Sequence, residues 1–126
     1  MTIHLLKLIV TVSTLACASS VALAECKVSG PSPMYLGANK TYALSIKVEL
    51  GGPCLISFSP LSDTAHFSTA QIIAAPNQGK LISAGTLAFV YTGPGQSGAD
   101  NFSLRVCGTD QAGQGCDRLD YSVDVR

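Results

Sequence analysis

The strongest constraint on this chain is an alternation of apolar and polar residues with a period of two. Between residues 40 and 50, Tyr42, Leu44, Ile46, Val48 and Leu50 fall on one side; Thr41, Ala43, Ser45, Lys47 and Glu49 fall on the other. Side chains of an extended strand point alternately to opposite faces, whereas a helix repeats about every 3.6 residues. The segment therefore reads as a strand with one face in a core and one in water. Gly51-Gly52-Pro53 ends it as a turn.

The same period recurs along the chain. Residues 54–59 carry Cys54, Ile56 and Phe58 on one side, and residues 66–74 form a less regular strand closed by Pro76-Asn77-Gln78-Gly79. Residues 80–83 and 86–92 read as two short strands hinged at Ala84-Gly85, and 93–98 as a flexible turn. In 101–107, Phe102, Leu104 and Val106 point inward. In 118–126, Leu119, Tyr121, Val123 and Val125 point inward while Asp120, Ser122 and Asp124 face out. Turn signals at intervals of about 8–12 residues between such strands predict an all-β chain, an antiparallel β-sandwich of about seven strands.

The first 24 residues belong to a different class. A positive start (MTIHLLK) is followed by the uncharged stretch LIVTVSTLACASSVALA and then Glu25. An apolar h-region ending in Ala22-Leu23-Ala24 predicts a secretory signal peptide cleaved after Ala24, leaving one domain over 25–126. Lipid anchoring at Cys17 is the lesser alternative, because the position three residues before it is Thr14 rather than the usual leucine. Removing Lys7 with the signal leaves seven basic residues against eight acidic ones. Such a balance lacks the electrostatic footprint of a nucleic-acid binder, and no second long apolar run offers a transmembrane segment.

Four cysteines remain after the signal: Cys26, Cys54, Cys107 and Cys116. In a small exported domain they read as two disulfides, with three possible connectivities. A zinc site would want closely spaced pairs such as Cys-x-x-Cys, which the chain lacks. Facing selects among the connectivities. Cys54 shares parity with Ile56 and Phe58, and Cys26 with Val28, both read as inward. Cys107 shares parity with Ser103 and Arg105, and Cys116 with Arg118 and Asp120, both outward. Cys26–Cys54 and Cys107–Cys116 are thus the expected bridges, the second closing a hairpin whose connection contains Gly108, Gly113 and Gly115.

From residue 75 onward a run of motifs stands out: Pro76 and Gly79, then Phe89-Val90-Tyr91-Thr92, Pro94 and Gly95, Gly98-Ala99-Asp100-Asn101-Phe102, then Leu104 and Val106. This half of the mature chain resembles the Ig-like, cadherin-like domains of bacterial exported and surface proteins. The resemblance implies an Ig-like sandwich and says little about activity. Such domains usually occur in tandem and seldom carry four cysteines, so the chain looks like a small, stapled, single-domain relative. Within the motif, Gly98 permits a turn, Asp100 is expected to accept backbone N–H bonds in that turn, and Phe102 enters the core.

Signs of chemistry are sparse. His66 is the single histidine after the signal, and Gly95-Gln96-Ser97-Gly98 does not have the spacing of a hydrolase nucleophile elbow. The glycine-rich 93–98 stretch lacks the lysine of a phosphate-binding loop. Asp110, Asp117, Asp120 and Asp124 do not form a calcium loop, and the alternate aspartates of the last strand read as its solvated face. No catalytic residue, metal ligand or cofactor site is expected. The leading expectation is a non-enzymatic, exported binding module, periplasmic or secreted, whose partner is a protein or a cell-envelope glycan. The alternative is a small envelope enzyme or hydrolase inhibitor using loops 93–98 and 108–115 at one end of the sandwich.

Overall fold

The computed structural model describes residues 23–31, 36–58 and 65–126. The predicted signal segment, with Cys17, falls almost wholly outside these residues. Eight strands run in the order β1 (Lys27–Ser29), β2 (Thr41–Val48), β3 (Pro53–Ser57), β4 (Ala65–Ala74), β5 (Lys80–Ser83), β6 (Ala88–Thr92), β7 (Gly98–Asp110) and β8 (Gly113–Val125). A short 3-10 helix, Leu36–Ala38, precedes β2. One sheet has the order β1-β2-β8-β7-β4 and the other β3-β6-β5. The sequences β8-β7-β4 and β3-β6-β5 reproduce the G-F-C and B-E-D arrangement of an Ig-like sandwich.

One pairing departs from the expected antiparallel plan: β2 and β8 run parallel, from Thr41↔Arg118 to Val48↔Val125. After β2 the chain turns at 49–52 and enters the other sheet as β3, so β2 has no hairpin partner in its own sheet. Its edge is then filled by the last strand, which runs in the same direction. Leu50 was expected inward but is 49% exposed, because it belongs to this turn and not to β2. The turn is held by Gly52 N–H donating to Glu49 O at 3.0 Å, with Gly51 at φ 64°.

The alternation elsewhere becomes the core. Ile46, Val48, Ile56, Phe89, Phe102, Leu104, Val106, Leu119, Val123 and Val125 are buried between the sheets. Tyr91 from the smaller sheet stacks on Phe102 of the larger one at 5.5 Å, and Phe102 stacks on Tyr121 at 4.7 Å. The chain has no tryptophan, and the Tyr91–Phe102 contact in this three-ring column spans the two sheets.

Both disulfides form as facing predicted. Cys26–Cys54 has Cα atoms 4.9 Å apart, and Cys107–Cys116 joins residues that are register partners on β7 and β8. The parity argument nevertheless fails for Val28, which is 46% exposed. The chain changes sheets between Cys26 and Lys27. Cys26 N–H donates to Leu55 O at 2.9 Å, alongside β3, whereas Lys27 already pairs with Lys47 on β2. The first bridge thus pins the entering segment to the smaller sheet just before it crosses to the larger.

Each bridge should contribute about 2–5 kcal/mol to a total of about 5–15. The Cys26–Cys54 loop spans 28 residues against 9 for Cys107–Cys116, a chain-entropy difference of only about 1 kcal/mol. Cys54 is also buried beside the core, so its replacement by Ala adds a packing loss. Urea unfolding of the oxidised protein, each single-bridge variant and the reduced form is expected to place Cys54→Ala below Cys107→Ala. An unchanged midpoint after full reduction would show that the cysteines do not staple the fold.

Candidate functional site

The two loops expected to share one end of the sandwich do not. They lie at opposite ends of β7, whose 13 residues span roughly 40 Å. Nor is 108–115 a loop: the ladder continues to Asp110↔Gly113, leaving only Gln111 and Ala112 to turn. Gly108 and Gly115 permit this continuation because a Cβ on either would collide with backbone, of His66 and Leu36 respectively. His66 lies exposed on β4, with Thr109 as its register partner on β7. The loops therefore cannot converge on a common pocket.

What the fold does concentrate is buried carboxylate. Asp100, only 6% exposed, sits near the start of β7. Its Oδ1 accepts N–H bonds from Asn77 (2.9 Å), Gln78 (3.3 Å) and Asn101 (3.0 Å); its Oδ2 accepts from Gly79 N–H and from Tyr91 Oη–H, both at 2.8 Å. Most of these donors come from the β4–β5 turn, more than twenty residues upstream in sequence. That corrects the expectation that Asp100 would organise the Gly98 turn. Gly79 is required here, since a Cβ would lie 2.6 Å from Tyr91 Oη. Burial pushes the Asp100 pKa up, but the bonds from Gly79, Tyr91, Asn101 and Asn77 outweigh it and hold the carboxyl below its ordinary range. Burial first, then the bond to Asp100, raises the Tyr91 hydroxyl.

The opposite end carries a second acidic arrangement. Asp110, at the tip of β7, accepts N–H bonds from Leu36, from Gly37 (3.4 Å) and from Ala112 (2.8 Å), tying the hairpin tip to the 3-10 helix. Asn39, in a left-handed conformation at φ 51°, turns its Oδ1 to accept Cys116 N–H at 3.0 Å. Asp117, fully buried, accepts Lys40 N–H on Oδ1 at 3.0 Å, while its Oδ2 has no partner. Burial raises its pKa, and the nearby Asp110 charge adds to the effect against the pull of the Lys40 N–H. Sequence reading did not single it out as buried. The available signal was parity, since Asp117 lies on the inward side with Leu119 and Tyr121. Asp120 and Asp124 do face water, paired with Arg118 at 2.8 Å and Arg126 at 3.0 Å. The bonds from Ser103 and Arg118 hold Asp120 below its ordinary pKa. Asp120 and Asp124 thus lie apart from the Asp110 and Asp117 pair. Among the described residues, no group of three or more His, Cys, Asp or Glu is arranged to hold a metal.

A recess with charges of both signs lies between residues 24–27 and the end of β2. It encloses about 560 Å³ and is rimmed by Glu25, Lys27, Lys47, Glu49, Asp124 and Arg126. Lys27 and Lys47 are direct register partners, an arrangement that costs stability in isolation. Lys47 is in turn the partner of Asp124. This rim offers donors and acceptors of both signs. None of the described helices is long and apolar enough to cross a membrane. No known family's sequence model matches the chain, and no curated protein matches it.

The two buried aspartates should give opposite pH signatures. Asp100 has a depressed folded pKa, so its contribution is present above the unfolded carboxylate pKa and is lost as pH falls through the folded value. Asp117 has a raised folded pKa, so its ionisation destabilises the fold above that value and not below the unfolded one. Asp100→Asn is expected to lose about 2 kcal/mol or more at pH 7, the deficit shrinking in acid. Asp117→Asn keeps an acceptor for Lys40 N–H and should gain stability at pH 7, the gain also vanishing in acid. Urea midpoints from pH 7 down to about pH 3 measure both; like signs at pH 7 would contradict the assignment.

Proposed function

We propose that the chain is an exported, non-enzymatic Ig-like binding module of the cell envelope. In this reading it is a stapled relative of bacterial Ig-like, cadherin-like domains, periplasmic or secreted, with a protein or an envelope glycan as partner. The observation that carries the reading is the pair of disulfides, each joining neighbouring strands or segments of the folded domain. Such bridges form and persist in oxidising compartments. The anchoring carboxylates support the binding part of the proposal. Asp100 and Asp110 spend their acceptor capacity on backbone N–H groups, making a fixed frame and not a reaction centre.

The mixed-charge recess at the chain entrance is the recognition surface this proposal favours. Tagged, oxidised protein incubated with envelope extract is expected to retain a partner that is released by salt, because exposed charge pairs are screened as ionic strength rises. Lys27→Gln/Lys47→Gln should abolish retention while leaving the unfolding free energy within about 0.5 kcal/mol of the parent. Fractionation should find the protein outside the cytoplasm. Failure to recover a partner across repeated salt conditions would overturn the binding reading, and a cytoplasmic location would overturn export.

A further inference from the structure

The near balance of charge in the sequence is not shared evenly by the folded surface. Asp100, Asp110 and Asp117 spend their carboxylates on backbone N–H groups within the fold or at its tip. The outer face of the five-stranded sheet receives cations instead. Lys27, Lys47, Arg105 and Arg118 stand on it, against Asp120 and Asp124. Those two acids are already paired, with Arg118 at 2.8 Å and Arg126 at 3.0 Å. Glu25 and Glu49 lie outside the strands, at the mixed-charge recess, and bound this positive face on one side.

The cations come in opposed couples. Lys27 is the register partner of Lys47, and Arg105 of Arg118. Among the described residues, Lys27, Lys47 and Arg105 have no carboxylate within ion-pair distance. Like charges set directly opposite cost stability, a cost that an anion shared between them offsets. Residues 118–124 of β8 separate the two couples, a span of roughly 20 Å. The strip between them holds short hydroxyl and amide side chains. Ser29, Ser45 and Ser122 are successive register partners, and Asn101 continues the row. A shallow trough of about 460 Å³ runs over the three serines beside Lys27 and Lys47.

We propose that this face binds an extended acidic glycan, its carboxylates held by the two couples and its hydroxyls by the serine and asparagine row. Charge complementarity selects a polyanion, and the separation of the couples selects a chain over a single ion. Between the couples no aromatic or large apolar side chain stands on this face. Single-stranded nucleic acid would therefore find nothing on which its bases stack. A protein partner would lack the aromatic or aliphatic anchor at which such interfaces concentrate their binding energy. Hydroxyls and amides are what remains, and they match a sugar chain. This inference rests on the binding reading above, names its partner class, and extends the surface from the recess across the sheet.

The test is calorimetric titration of the oxidised protein with polygalacturonate, poly-L-glutamate and dextran. Polygalacturonate is expected to bind, and to bind less tightly as salt is added. Lys27→Gln/Lys47→Gln and Arg105→Gln/Arg118→Gln should each raise its dissociation constant at least about tenfold. Lys80→Gln, on the other sheet, should leave it unchanged. No binding of polygalacturonate at low salt overturns the proposal, as does a correctly folded couple variant that binds undiminished. Poly-L-glutamate binding as tightly as polygalacturonate overturns the choice of a glycan, and dextran binding overturns the role of charge. Should a variant misfold, amide chemical shifts of the parent decide: movement at Ser45, Asn101 and Ser122 supports the face, and movement confined elsewhere overturns it. An envelope partner retained without affinity for polygalacturonate removes this inference and leaves the binding module standing. Affinity for polygalacturonate with no envelope partner removes the envelope reading and leaves the face.

Discussion

The fold turns on a single carboxylate. Asp100 gathers three N–H groups of the β4–β5 turn, its own neighbour's N–H and the Tyr91 hydroxyl. These donors belong to both sheets, so the bonds fix how one sheet sits on the other at that end. The same bond orients Tyr91, the first ring of the column that continues through Phe102 to Tyr121. A buried charge is costly unless hydrogen-bonded, and here five donors offset that cost. Polar geometry therefore fixes one ring of the apolar core, and Gly79 is confined to glycine because the turn passes so close to Tyr91.

At the other end the balance is reversed. Asp117 is buried with one oxygen satisfied and one not, and Asp110 adds a repulsive charge nearby. Yet this pair organises the approach of the chain to β2. Asp110 receives the first N–H groups of the 3-10 helix, and Asp117 receives the N–H of Lys40 just before the strand. One end of the domain is held by a satisfied carboxylate that favours folding at neutral pH. The other is held by a carboxylate whose ionisation works against it.

Much of this was legible from the residues. Period-two alternation located the long strands, and it sorted Cys54 inward and Cys107 outward well enough to pair the cysteines. It failed where one strand's parity does not extend to its flanks. Val28 is exposed because the chain changes sheets after Cys26, and Leu50 because a turn begins at Glu49. The glycines at 108, 113 and 115 read as the connection of a hairpin that sets Cys107 against Cys116; the hairpin forms, but Gly108 and Gly115 sit inside its ladder, where the backbones of His66 and Leu36 pass too close for a Cβ. The parallel β2–β8 pairing, and the separation of the two candidate loops by the length of β7, are properties of topology, which local spacing does not encode. The entrance recess was not legible either, since its rim draws on three stretches far apart in the chain.

The parallel ladder also has a consequence in time. β2 lies far upstream of its partner β8, so their eight register pairs cannot form until β8 has been made. Contacts between such distant segments carry the largest loop-closure cost and form late. The β7–β8 hairpin, closed by two residues and cross-linked at Cys107–Cys116, is by contrast local and able to form first. Until then β2 has only β1 as a ladder partner. A chain built this way keeps one side of β2 open until β8 emerges, and it locks only then.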